Sequence, residues 1–459
     1  MKYAGQEMFR DFTLNGHWWI PTNPNGAAYG ALSYSVDRIK LQLDRAITPE
    51  LNTAYSVGSA KLPVVLGRTN DSSDVTVLGA FYWNSHGHEI DLLANEVVIG
   101  AHLTESALAI VREVVVGFSN LEEWSGRQLV QQSVDADQRA HFLVAKDLKP
   151  DLRVSELPYV KTLTLTTDLR VLHDLVETKL TNHSRFTLEF DHLATLRTVT
   201  GSVRSLGNLL TLLMDEVVQP TSIRLTMQLA PSGPDIFANY ASPARTTLPR
   251  KKREFEMLLP FDDLSQAKAA EKLFVNWFQK EQVLRPVYDL LLSTIQGRGQ
   301  YAQSTFLSLA QALESFHRKV YEGEYIPRND YSDIKKALIA AIPVGIERKL
   351  SDKLKSMLHY GNELSLKSRL EYLFAGIRRD HLTNLSGTDD CMRFIRSLAD
   401  IRNYLTHYEG KKPSILESPV EMYNLNRRVT ALLLVLLFKY LGVPEDLVYL
   451  PVVGHLRLF

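Results

Sequence analysis

The chain holds 459 residues, 45% hydrophobic and 23% charged, enough apolar material for two or three globular domains at about 150 residues each. Its single cysteine, Cys391, excludes a disulfide framework and a Cys-based zinc knuckle, and suits a reducing compartment. Fifty-two basic residues balance 52 acidic ones unevenly: residues 1–245 carry 21 Lys and Arg against 27 Asp and Glu, leaving 31 against 25 for residues 246–459. An acidic half followed by a basic half points either to a polyanionic partner for the second or to two differently biased solvated surfaces.

From the N-terminus, MKYAGQEMFRDFTLNG has no apolar h-region, so no signal peptide is expected and a cytoplasmic location is. Alternating or β-branched runs then recur: Leu32–Val36, Ile39–Leu43, Val75–Leu78, Val114–Val116, Tyr159–Leu165 and Arg185–Phe190. Turn signals at Asn23-Pro-Asn-Gly26, Gly67, Asn70-Asp71 and Gly87 punctuate them. Only Val203 to Val217 has helical periodicity here. Residues 1–262 therefore form a β-rich domain, an antiparallel sandwich or barrel with an embedded helix.

Past Arg250-Lys-Lys-Arg253 the period changes to 3.6 and Gly becomes sparse. Helices are expected near 264–293, 302–322, 329–342, 346–360, 363–377, 389–405 and 419–441. Phe306, Leu309, Ala310, Leu313, Phe316 and Val320 trace one apolar stripe. Asn329-Asp330 is placed to cap the third helix, and Ser418-Pro419 supplies an N-cap followed by N1 proline. Lys367 to Asp380 mixes cationic and apolar residues and fits an inward or an outward face. The most apolar run, Val429 to Phe438, is about half the ~20 residues needed to span a bilayer, so it predicts a buried helix and no membrane association. The fold class expected is α+β multidomain, with a helical bundle over 263–459.

Several chemistries are missing. There is no P-loop, no Gly-x-Ser-x-Gly elbow and no Gly-x-Gly-x-x-Gly fingerprint. His86-Gly-His88-Glu89 offers alternating ligands on one strand face, but a polar hairpin turn after Tyr82-Trp83-Asn84 is the favoured reading. Glu314-x-x-His317 has di-iron spacing without the second copy such a site needs. No metal and no cofactor are expected. Trp18, Trp19, Trp83 and Trp124 suit either a recognition groove or a core.

One constellation stands out: Arg402-Asn403-Tyr404-Leu405-Thr406-His407, near a helix end signalled by Gly410 and Pro413. Five residues along a helix is about 500°, so Arg402 and His407 point about 140° apart. They meet on one ligand only if the helix frays or bends, or if another subunit completes the site. A His at a helix C-terminus is favoured when protonated, and a helix end with Arg and His is also an ordinary structural arrangement.

Ile401 to His407 resembles the Arg-polar-x(3–5)-His signature of HEPN domains, helical bundles that include metal-independent endoribonucleases. Phe306 to Arg318 is similar to the first long helix of the ApeA-like HEPN group. Phe12-Thr-Leu-Asn-Gly-His-Trp18-Trp19-Ile-Pro21, Tyr29-Gly-Ala-Leu32, Phe118-Ser-Asn-Leu121-Glu-Glu-Trp124 and Leu273-Phe-Val-Asn-Trp277-Phe278 resemble the N-terminal and connecting regions of the ApeA-type anti-phage family. The resemblance implies RNA cleavage through the ribose 2′-OH, with the substrate supplying its own nucleophile. His407 then acts as acid or base, Arg402 clamps phosphate, and Asn403 orients the His or a phosphate oxygen. Glu314, His317 and Tyr404 are supporting candidates, and Arg378, Arg379, Lys411, Lys412 and the pair Arg427-Arg428 are candidate RNA-backbone contacts. One His per chain favours a symmetric homodimer or larger homo-oligomer with facing motifs.

The resemblance implies an RNA-cleaving effector of abortive infection, controlled by its β-rich domain and woken by a phage-derived protein. A non-catalytic HEPN scaffold is the alternative from another class. A carbohydrate-binding β domain with a helical dimeriser rests on the tryptophans alone.

Overall fold

Burial with a period of two builds the first strands. In β1 (Phe12–Ile20), Leu14, Gly16 and Trp18 turn inward while Thr13, Asn15 and His17 face solvent. β2 (Asn23–Tyr34), β3 (Ile39–Leu43), β4 (Lys61–Thr69), β5 (Asp74–His86) and β6 (Glu89–Ala94) repeat the alternation, with a one-turn helix α1 (Pro49–Asn52) after β3. All pair antiparallel, in the order β5-β4-β1-β2-β3-β6 and back to β5. The ring closes because β5 is long: Phe81–His86 pairs with β6, whereas Val75–Leu78 pairs with β7 (Glu96–Ile99). The computed structural model describes residues 11–104, 109–135, 140–144, 151–228, 235–242, 250–297 and 301–455.

From β7 the sheet runs on as an open surface. It comprises β8 (Ala109–Phe118), β11 (Leu152–Leu157), β12 (Val160–His173), β13 (Thr178–Thr195), β14 (Pro220–Met227) and β15 (Ile236–Ala241), ordered β7-β15-β14-β8-β13-β12-β11. β9 (Val130–Val134) and β10 (Ala140–Val144) pair antiparallel as a separate two-stranded sheet. A short helix α2 (Leu121–Ser125) and the long α3 (Leu196–Met214) accompany the sheet. Thr195 caps α3 by accepting the Thr198 N–H at 3.2 Å, and Leu206, Leu209, Leu210 and Leu213 are buried along it. At its other end the buried Lys252 ammonium donates to the Met214, Asp215 and Glu256 carbonyls, so this lysine of the basic run closes a helix C-terminus. Trp124, Phe186, Phe274 of α5 (Ala270–Gln296) and Phe261 of α4 (Phe261–Gln266) form an aromatic cluster, and Trp277 donates to the Ser205 carbonyl at 3.1 Å.

The chain forms two compact units, Met1–Gln279 and Lys280–Phe459. The second unit is helical: α6 (Ala302–Val320), α7 (Arg328–Ala340), α8 (Arg348–Tyr360), α9 (Leu366–Ala375), α10 (Arg379–Ser386), α11 (Cys391–His407), α12 (Pro419–Tyr440) and α13 (Glu445–His455). The run Val429–Phe438 lies within α12, nearly all of it buried against α6, α10 and α13. Ser418 caps α12 through the Glu421 N–H at 3.2 Å. Among the described residues no helix is long and apolar enough to cross a membrane.

The strand-rich then helical organisation agrees with the sequence, and several local expectations do not. Asn23-Pro-Asn-Gly26 opens β2, and the turn sits at Pro21-Thr22. Gly67 lies inside β4, where a Cβ would come within 2.3 Å of the Trp18 ring. The helix expected over 264–293 is two, broken where Lys268 takes φ 55°. Pro327 precedes α7, so Asn329 and Asp330 fall in its first turn rather than at its cap. α10 and α13 were not foreseen. Trp18 and Trp124 are fully buried, each donating its indole N–H to a carbonyl (Gly30 and Leu259), which removes two of the four tryptophans proposed for a groove. His86 and Glu89 pair across the Gly87-His88 turn of the β5–β6 hairpin.

Candidate active site

The motif residues sit on α11, anchored by Ile395, Leu398, Ile401 and Leu405 in the bundle core. The helix stays regular through His407. It then stops at Tyr408, which adopts φ 54° and sends its N–H to the Tyr404 carbonyl at 2.6 Å. Termination thus comes two residues before Gly410, on a left-handed tyrosine. With no fraying or bend, the side chains of Arg402 and His407 leave one chain in different directions, about 140° apart. His407 is exposed at the last turn, and Lys411 and Lys412 are exposed just beyond it. Tyr404 packs edge-on against Tyr408, and Asn403 accepts a hydrogen bond from Arg402 at 3.3 Å.

Arg402 is half-buried and reaches α6, where its Nη2 meets Glu314 Oε2 at 3.4 Å. Glu314 Oε1 accepts two bonds from Arg318, at 3.1 Å each, and Arg318 Nη1 donates to Glu363 at 2.6 Å. The next cation, Arg369 of α9, is 3.9 Å from Glu363 and only 1% exposed. It donates to the Leu364 carbonyl at 2.9 Å, the Gly323 carbonyl at 3.4 Å and His317 Nδ1 at 3.1 Å. A chain of alternating charge therefore runs from Arg402 to the interior. The hydrogen bond from Arg318 is the chief influence holding the Glu363 carboxyl below its ordinary range.

His317 lies at the inner end of this chain. A guanidinium only donates, so Nδ1 accepts and the proton of the neutral ring resides on Nε2. That Nε2 is buried with no hydrogen-bond partner among the described residues, and the His317 ring contacts those of Tyr321 and Tyr372, which also touch each other. Burial first, and Arg369 and Arg318 after it, push the imidazole down to about 4. Glu314, by contrast, is close enough to Arg402 to influence a ligand there. Glu314 does not depend on Arg402 alone, because Arg318 gives it two further bonds.

The other candidate phosphate contacts differ among themselves. Arg378 donates to Asp380 and Asp446. Arg428 caps the end of α10 through the Asn384 and Leu385 carbonyls, while Arg427 lies over the Tyr423 ring. Arg379 is exposed. The sequence reading missed Arg318, Glu363 and Arg369. The first carried a signal, one turn after Glu314 in the ion-pairing order Glu then Arg.

A closed strand ring continuing into an open sheet, followed by a helical bundle bearing Arg-polar-x(3)-His at a helix end, defines a two-part protein with a HEPN-type helical domain. Residues 13–277 match ApeA N-terminal domain 1, residues 307–447 match Apea-like HEPN, and the chain belongs to the ApeA family on these matches. The HEPN match points to a nuclease-type defence protein. No curated protein and no solved structure matches the chain.

Proposed function

We propose that the chain is a metal-independent endoribonuclease of anti-phage defence. The observation that carries this reading is the presentation of Arg402 and His407 by one uninterrupted helix, the guanidinium half-buried against Glu314 and the imidazole exposed at the end. One chain offers a phosphate clamp and a proton-transfer group in divergent directions, and a second copy facing it by two-fold symmetry supplies the complementary pair.

In such a pair the His407 of one copy takes the proton of the ribose 2′-OH as its oxygen attacks phosphorus. The other His407 gives a proton to the departing 5′-oxygen, leaving a 2′,3′-cyclic phosphate and a 5′-hydroxyl. Arg402 balances the charge gathering on the non-bridging oxygens, Asn403 keeps its guanidinium directed, and Lys411 and Lys412 add attraction for the backbone. Stopping growth by RNA cleavage after a phage-derived protein acts on the β-rich unit is the physiological role we assign.

The test is cleavage of total RNA and purified tRNA in EDTA, with and without phage lysate. Wild-type chain is expected to cut, and Arg402→Ala or His407→Ala to lower the rate at least about 100-fold, the scale of a lost acid–base group. Cutting that EDTA abolishes, or that survives His407→Ala, defeats the mechanism. No cutting under any condition favours a binding module instead.

A further inference from the structure

Residues 324–363 leave the bundle and return to it at one point. Glu324 and Glu363 form an antiparallel bridge, Tyr325 N–H donates to the Asn362 carbonyl at 2.9 Å, and Leu364 N–H to the Gly323 carbonyl at 2.8 Å. The buried Asn362 side chain satisfies both the N–H and the carbonyl of Ile326, at 3.1 and 2.8 Å. Arg369 binds the Gly323 and Leu364 carbonyls on either side. Glu363 at this neck takes the Arg318 guanidinium that also holds Glu314, so the excursion is rooted two side chains from Arg402.

What extends from the neck is the α7–α8 hairpin, in which no residue is buried. Its helices meet along a thin seam: Tyr331 donates to the Leu358 carbonyl at 2.6 Å, and Lys335 to His359 Nδ1 at 2.9 Å. Residues 328–360 hold 7 Lys and Arg against 4 Asp and Glu, half of the net positive charge of residues 246–459. Lys336 is paired with Asp333, Arg348 with Asp352 and Arg328 with Glu324. Lys349 and Lys353 are exposed with no carboxylate in ion-pair range among the described residues. On the helix these two and the exposed Tyr360 fall within about 40° of one another, while Lys355 lies on the opposite side.

We infer that α8 is an RNA-backbone-binding arm serving the proposed active site, with Lys349 and Lys353 on phosphates and Tyr360 stacking on an unpaired base. This rests on the nuclease reading for its ligand. The helix is about 20 Å long at 1.5 Å per residue, a reach of several nucleotides from the neck. An anionic lipid surface fits less well: the acidic Asp330, Asp333 and Asp352 share the hairpin, and a stripe of two lysines and a tyrosine is a track for a strand.

The experiment measures binding of fluorescein-labelled tRNA to the full chain carrying His407→Ala, across NaCl concentrations. Adding Lys349→Gln with Lys353→Gln is expected to weaken binding at least about tenfold and flatten the log–log salt slope by about 1.5 to 2, the signature of two lost phosphate contacts. Adding Tyr360→Ala is expected to weaken binding with the slope kept. Lys355→Gln, an equal charge loss per site on the other face, is expected to change affinity less than about twofold. Unchanged melting temperatures show that the exposed substitutions leave the fold intact. If the double variant only matches Lys355→Gln, the arm is refuted while RNA cutting by wild type leaves the nuclease reading standing. If the His407→Ala chain binds no tRNA and wild type cuts none, both fail together. Flotation with phosphatidylserine vesicles that the double variant loses, with tRNA binding kept, also overturns the inference in favour of lipid.

Discussion

Trp18 in the strand-rich unit and Arg369 in the helical unit are both buried almost completely, at 0% and 1% exposure, and they are held by opposite means. Trp18 contributes through area and shape. Its ring lies against Gly67, and one N–H bond to Gly30 removes its sole polar obligation. Arg369 brings a charge inside and needs a carbonyl at each side, a ring nitrogen and a nearby carboxylate to offset desolvation. The first arrangement tolerates no change of volume. The second tolerates no change of charge, and it ties the interior of the bundle to the candidate site.

Substitutions separate the two. Trp18→Ala is expected to cost about 3–5 kcal/mol, by lost burial and a cavity that a closed strand ring cannot collapse. Urea unfolding followed by a strand-sensitive circular dichroism signal checks it. Arg369→Met keeps the stem and drops the charge, at about 3 kcal/mol from orphaned carbonyls and a less compensated Glu363. A helix-sensitive signal should move in that variant, and a loss below about 1 kcal/mol would show that the guanidinium adds little beyond packing.

The smallest effect depends on pH. His317 titrates at about 4 in the folded chain against 6.5 in the unfolded one. Between those values the unfolded state binds a proton that the folded state refuses, so stability is full above about 6.5 and declines as pH falls. The expected loss from pH 7 to pH 5 is about 2 kcal/mol. His317→Asn, which keeps an acceptor for Arg369 and cannot titrate, should flatten that part of the unfolding profile. An unchanged profile would mean that another group sets the acid sensitivity.

The parts legible in the sequence were those governed by periodicity. Alternation marked β2, β3, β5, β8, β12 and β13, and the 3.6 period located α6, α7, α8, α11 and α12 to within a few residues. Chemistry that depends on distant neighbours was hidden. Gly67 looks like a turn residue until Trp18 is placed beside it. Asn23-Pro-Asn-Gly26 carries turn chemistry yet pairs as a strand, because the tighter bend at Pro21-Thr22 comes first. α10 is eight residues long with only Leu382 and Leu385 as apolar markers of its buried face, and α13 carries an unbroken apolar run with Pro451 inside, so neither shows a long helical stripe. Of the site, the motif Arg402 to His407 was visible as a local pattern. Its link through Glu314, Arg318 and Glu363 to Arg369 joins three helices that are separate in sequence, and Arg369 sat in a stretch whose facing composition alone could not decide.

The bridge between Glu324 and Glu363 also makes residues 324–363 a cassette. Paired antiparallel residues have Cα atoms about 5 Å apart, so the ends of the excursion already lie side by side. Lengthening such a loop twofold costs only about 0.6 kcal/mol in closure entropy. Here the chain can be cut, and an arm of another length or charge spliced in, without displacing α6 or α9.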